Sequence, residues 1–167
     1  FFDLCQEKIA SVKPALDEQR GKTLSELIAI DETATLEFKG SVWTMYNTKT
    51  YQPIEQQSKK SLELQDAVVK SIAAFLNTDG GTLLVGVKDK PHEQEDPISG
   101  IENDFKFLGK DKSIEGFGHA MIQLLNDAFG DQTTLKLYVN MSFPRMNGKT
   151  VCRFDVEPLP RVRNGEL

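Results

Sequence analysis

The sequence predicts an α+β domain, a mixed β-sheet with packed helices, and three observations carry that prediction. Across residues 62–77 the apolar side chains of Leu64, Val68, Ile72 and Phe75 or Leu76 recur at helical spacing. The run TLLVGVKD at 82–89 is apolar on both faces, as a central strand is. Asn147-Gly148, a strong hairpin-turn signal, stands between LKLYVNMSF and KTVCRFDVEP, both of which read as strands.

The remaining elements follow in order. Residues 5–19 read as helical, with Pro14 expected to kink or split the helix. Thr23 and Glu26 have the spacing of a capping box, which opens a short helix through Ile28. A strand is expected at 34–39, where Ala34, Leu36 and Phe38 alternate with Thr35, Glu37 and Lys39. Residues 40–60 have weak periodicity and Pro53, which predicts a long loop of the functional or mobile kind. The helix at 62–77 ends in NTDGG, read as a helix-to-strand turn in which Asn77 ties the helix end. After an acidic loop, Ile114, Phe117, Met121, Leu124, Leu125 and Ala128 mark a further amphipathic helix.

With 167 residues, 39% apolar and 27% charged, the chain suits one domain that buries a core without disulfides. Cys5 and Cys152 form no CxxC, so both read as packing residues in a reducing compartment. The absence of a 20-residue apolar run and of a basic-then-apolar leader predicts a cytoplasmic protein with no membrane partner. The start without Met and the end after RVRNGEL look like a piece of a longer chain with other domains.

A net charge of −5 argues against coating duplex DNA by bulk electrostatics. Distribution is more informative. From Gln132 to Phe154 the basic residues Lys136, Arg145, Lys149 and Arg153 occur without Asp or Glu, whereas 1–38 and 89–115 are acidic. This pattern allows either a basic binding face carrying Arg145, Lys149 and Arg153 or an ordinary solvated surface. In the 40–60 loop, Trp43, Tyr46 and Tyr51 interleave with Lys49, Lys59 and Lys60. Such a mixture suits single-strand binding by stacking rings and phosphate contacts, or rings that anchor the loop to the core.

Glu37 and Lys39 lie two residues apart on one strand face, close enough to act on one ligand or to neutralise each other. NTDGG follows a helix and lacks G-K-[ST], so it is not a P-loop. His92 and His119 have no Cys or His partner at ligand spacing, and no nucleophile elbow is present.

The ordered motifs LEFKG, AAFLNTDGGTLLVGVKD, ISGIENDF, IEGFGHAMIQLL and VCRFDVEPLPR together resemble the Schlafen-type AlbA-like domain found in many bacterial proteins. The likeness spans residues 23–163, leaving 1–22 as an N-terminal helical extension and 164–167 as a truncated tail. It implies an α+β fold and a DNA- or RNA-binding role; some relatives are described as ATP-binding. Animal Schlafens with endoribonuclease activity are similar in carrying two glutamates and an aspartate at the nuclease centre. Their E-x-x-x-x-E-F-K matches Glu32, Glu37, Phe38 and Lys39, and the aspartate after the G-V strand matches Asp89. The 40–60 loop is longer here, and one lobe stands where those nucleases use two, so a homodimer or a further domain is the implied way to complete a groove.

On that resemblance, Glu32, Glu37 and Asp89 are expected to converge on Mg²⁺ or Mn²⁺, with Lys39 at a scissile phosphate. Pairing of the two strands would bring the acids together. The expected function is nucleic-acid binding, extended by metal-dependent RNA cleavage. The alternatives are a non-catalytic module of a larger protein and a nucleotide-binding or self-association domain.

Overall fold

The computed structural model describes residues 16–89, 91, 95–130 and 132–161. Pro14, Cys5 and His92, singled out above, lie outside the described residues. Residues 16–21 are helical. Helix α1 (Leu24–Ile30) opens with the predicted box, in which Thr23 Oγ1 accepts from Glu26 N and Thr23 N donates to Glu26 Oε2. It runs two residues past Ile28.

Strand β1 (Leu36–Lys39) begins later than expected, because Thr33 and Leu36 exchange backbone hydrogen bonds of 2.9 and 3.4 Å across a tight turn. Ala34 is thereby exposed instead of joining the core face. Helix α2 (Leu62–Asn77) has the predicted limits; Ser61 caps it and Asn77 Nδ2 donates back to Ala73 O at 2.8 Å. Strand β2 (Gly81–Val85) follows and is buried throughout. At the NTDGG turn Gly80 has φ 76°, and a Cβ there would meet Val156 O at 2.6 Å, so this position requires glycine.

A 3₁₀ helix at Glu102–Phe107, unforeseen in the sequence, precedes α3 (Ile114–Phe129). Next come α4 (Gln132–Tyr138), β3 (Val139–Ser142), β4 (Arg145–Met146), β5 (Lys149–Thr150) and β6 (Cys152–Val156). LKLYVNMSF is therefore not a continuous strand. Leu135 is buried and Leu137 is 70% exposed, so the run begins as a helix packed on one side and turns extended only at Val139. The Asn147-Gly148 turn forms as predicted, with φ 54° and 74° between paired Met146 and Lys149.

The sheet order is β1-β2-β6-β3, with β1 parallel to β2 and β6 antiparallel to both of its neighbours. One core cluster packs α2, α3 and Trp43 on Leu83, Val85 and Phe154. A second packs Leu24 and Leu27 of α1 against Leu36, Phe38 and Leu84. The central strands β2 and β6 are buried throughout because each side is covered. Cys152 is buried, as expected of a packing residue. No helix among the described residues is long and apolar enough to cross a membrane.

Candidate functional site

Parallel pairing of β1 and β2 sets Glu37 beside Leu83 and Lys39 beside Val85. Beyond Val85 the chain bends at Gly86 (φ 99°), where both Gly86 N and Val87 N donate to Lys39 O. This fixes the start of the segment carrying Asp89 against the end of β1. A Cβ on Gly86 would fall 3.0 Å from the Gly100 carbonyl carbon, so the glycine allows the two segments to cross.

Glu32 reaches the same place by the Thr33–Leu36 turn, which folds the chain back along the free edge of the sheet. Its Oε1 accepts from Phe38 N at 2.8 Å, supplying the edge donor that no neighbouring strand satisfies. The carboxyl of exposed Asp89 neighbours that of Glu32. Burial, and then the neighbouring Asp89 carboxyl, raise the Glu32 pKa, while the Phe38 N–H and Lys39 oppose the rise. Lys39 Nζ lies 2.6 Å from Glu37 Oε1, with both side chains about one-third exposed at 28% and 32%.

The structure thus brings Glu32, Asp89 and Lys39 together, with Glu37 joined through Lys39. It does not assemble the expected three-carboxylate metal site. Glu37 is occupied by the ammonium, and among the described residues no group of three or more Asp, Glu, His or Cys side chains is arranged to hold a metal ion. As placed, the donor set does not fit Mg²⁺ or Mn²⁺, whose ligand shells need several converging oxygens. Lys39 is the cation that this cluster holds.

A stability test follows from Glu32. Its folded pKa stands above the ordinary 4.5, so its contribution is fully present below that value and is lost as pH rises through the folded pKa. Glu32→Gln keeps an acceptor for Phe38 N–H and removes the charge. Its melting temperature at pH 7 is expected to equal or exceed that of the wild type, with any advantage shrinking as pH falls toward 4.5. A variant less stable at pH 7 would contradict this account of the acid pair.

The aromatic residues of the 40–60 loop separate sharply. Trp43 is 1% exposed, meets Phe117 edge-on at 5.9 Å and donates to Gln65 Oε1, so it is a core anchor and not a stacking platform. Tyr46 is half-buried, its hydroxyl accepts from Asn103 Nδ2 at 3.0 Å, and burial pushes its phenol up to about 12. Tyr51, the third ring of the expected stacking set, is part-buried; burial, then the charges of Asp89 and Glu95, raise its pKa. Lys88 Nζ lies 4.9 Å from the centre of its ring. Its position among interleaved rings and lysines was the available signal.

The loop is ordered despite its length. Asp104 accepts from Val42 N, Trp43 N, Thr44 N and Thr44 Oγ1. Gln57 joins Met45, Trp43 and Lys59 through their backbones. Lys49, Lys59 and Lys60 remain exposed on this framework, with Lys60 Nζ 4.0 Å from the Trp43 ring centre.

The other basic candidates divide similarly. Arg145 is exposed and donates to Gly148 O. Lys149 pairs with Asp96 at 2.9 Å; burial disfavours the Asp96 charge, but Ile98 N–H, Asn147 and Lys149 outweigh it and hold the pKa at about 2. Arg153 must be removed from the expected phosphate contacts, because it is 8% exposed and bound to Asp155 and to the carbonyls of Gln19, Arg20 and Lys22. An open cleft of about 680 Å³ lies between α1 and the β4 region, bordered by Thr23, Ser25, Arg145 and Arg153; the acid cluster does not line it.

A family model described as Schlafen, AlbA_2 matches residues 32–165. No match is found among the curated proteins or the solved structures.

Proposed function

We propose that this chain, which belongs to the Schlafen AlbA_2 family, is a nucleic-acid-binding domain that leads a single strand across the 40–60 loop toward the Glu32–Asp89–Lys39–Glu37 cluster. The observation that carries the proposal is the union, on one anchored loop, of exposed Lys49, Lys59 and Lys60 with the Tyr51 ring, which lies 4.9 Å from the ammonium of Lys88, the residue before Asp89. Lysines contact phosphate without reading sequence, while a part-exposed ring accepts any unpaired base. The net charge of −5 restricts such binding to a local surface.

A second reading is phosphodiester cleavage at the cluster, and the contact of Glu32 with Asp89 favours it. A carboxyl whose pKa is raised beside a second carboxyl is an arrangement that acid–base cleavage can use. Incubation with transfer RNA and with single-stranded DNA, in Mn²⁺ or in EDTA, separates the readings. Cleavage that persists in EDTA and is lost in Glu32→Gln supports catalysis by the acid pair, whereas cleavage stopped by EDTA, or equal in Glu32→Gln, assigns the activity elsewhere.

Binding itself is expected to weaken steeply with salt, and Lys59→Ala should reduce the slope of log K against log salt by about one unit. A titration at several salt concentrations measures both. Binding indifferent to salt, or absent at low salt for RNA and DNA alike, would favour self-association.

A further inference from the structure

Tyr51 is held in a conformation that a β-sheet or helix would not give it. Its φ is 54°, and its N–H donates to Asn47 O at 2.8 Å within a tight turn that Asn47 Oδ1 reinforces by accepting from Lys49 N and Thr50 N. A left-handed φ is unfavourable for a bulky aromatic residue and is maintained only when the surroundings dictate it. The Tyr46–Pro53 bridge closes the same turn from outside, and the Tyr46 ring lies 6.2 Å from that of Tyr51. The loop therefore delivers a part-buried phenol ring to a fixed position beneath the Lys88 ammonium, whose ion-pair partner is Glu95.

Trp43 is buried and the Tyr46 hydroxyl is engaged by Asn103, so Tyr51 is the aromatic side chain of this loop that remains near the acids with part of its surface open. Lys88 is its companion. The Lys88 ammonium rests over the Tyr51 ring and is 3.8 Å from Glu95 Oε2, an oxygen with no hydrogen-bond donor among the described residues. That separation is longer than a hydrogen bond, and the Lys88 side chain is 11% exposed. A nucleobase can replace it on the ring, leaving Lys88 to turn toward the phosphate of the same nucleotide.

We infer that Tyr51 is the specificity-determining residue of this domain, a fixed ring that stacks on one unpaired nucleobase and thereby selects single-stranded over duplex nucleic acid. This inference rests on the binding proposal above and extends it. Duplex bases are already stacked and paired, so the ring offers them nothing, whereas an unpaired base gains a stacking partner next to the acids. The ring reads an unpaired base in RNA or DNA, so paired RNA and DNA probes distinguish which strand the rest of the surface prefers.

The test uses oligonucleotides of one length, single-stranded and duplex, with 2-aminopurine as a fluorescent base. Tyr51→Gly accepts φ 54° without strain and removes the ring; Tyr51→Trp retains a stacking surface. Tyr51→Gly is expected to lose about 5- to 100-fold in single-strand affinity. Its duplex affinity should be unchanged, and its single-strand salt slope should fall by no more than the one phosphate contact that Lys88 supplies. Quenching of 2-aminopurine by the wild type should persist in Tyr51→Trp and disappear in Tyr51→Gly. Single-strand affinity in Tyr51→Gly equal to wild type would overturn the inference, as would an equal loss for strand and duplex. Failure of the wild type to bind either probe would instead overturn the binding proposal itself.

Discussion

Asp104→Ala is expected to destabilise the protein by about 3–5 kcal/mol. The carboxylate is 0% exposed and lies 2.8 Å from Val42 N, 3.1 Å from Trp43 N, and 2.8 and 2.7 Å from Thr44 N and Oγ1. Those donors are themselves buried, so truncation leaves backbone N–H groups with neither protein nor solvent to accept them. Each such group costs about 1–3 kcal/mol, and local relaxation recovers only part. Burial raises the Asp104 pKa, but the surrounding hydrogen bonds oppose that rise and give the carboxylate its structural role. Asp104→Asn keeps one acceptor oxygen and should fall between Ala and wild type. Urea denaturation measures the series, and a loss under about 1 kcal/mol in Asp104→Ala would show that the loop is anchored chiefly by Trp43.

This anchor illustrates what the sequence disclosed and what it concealed. Features specified by neighbours along the chain were legible: the 62–77 helix from its period, the Thr23–Glu26 box from its spacing, and the hairpin turn from Asn147-Gly148. Features set by distant partners were not. Asp104 sits in the acidic 89–115 stretch, within the ISGIENDF motif but with no role assigned, and the N–H groups that donate to it are 60 or more positions away. The aromatic residues of the loop have similar composition, yet Trp43 is an anchor and Tyr51 lies beneath the Lys88 ammonium; only the folded loop distinguishes them.

The acid cluster was partly legible for the same reason. Glu37 and Lys39 share a face by strand alternation, and their 2.6 Å ion pair realises the neutralising alternative that spacing left open. Glu32 was placed in the cluster through resemblance, but the means of bringing it there, a turn at Thr33–Leu36, contradicted the longer strand that alternation predicted. Alternation continued through Ala34 because small and hydroxylated residues fit a turn as readily as a strand.

Arg153→Ala is the companion prediction and separates stability from binding. Arg153 Nε and Nη2 bond Asp155 Oδ2 and Oδ1 at 2.9 and 3.1 Å, and its remaining donors reach Lys22, Gln19 and Arg20 carbonyls. Asp155 also accepts from Thr82 Oγ1 at 2.8 Å, in a pair only 8% exposed at each residue. Removing the guanidinium strands a buried carboxylate and the carbonyls ending the 16–21 helical segment, at an expected cost of about 3–5 kcal/mol. Pairing Arg153→Met with Asp155→Leu removes both charges, and the double variant should be more stable than Arg153→Ala because no lone charge is left inside. Lys59→Ala should do the reverse, changing the salt slope of binding with stability within about 0.5 kcal/mol of wild type. If Arg153→Ala instead kept full stability and lost only nucleic-acid affinity, the arginine would belong to the binding surface and the buried ion pair would be the wrong account of it.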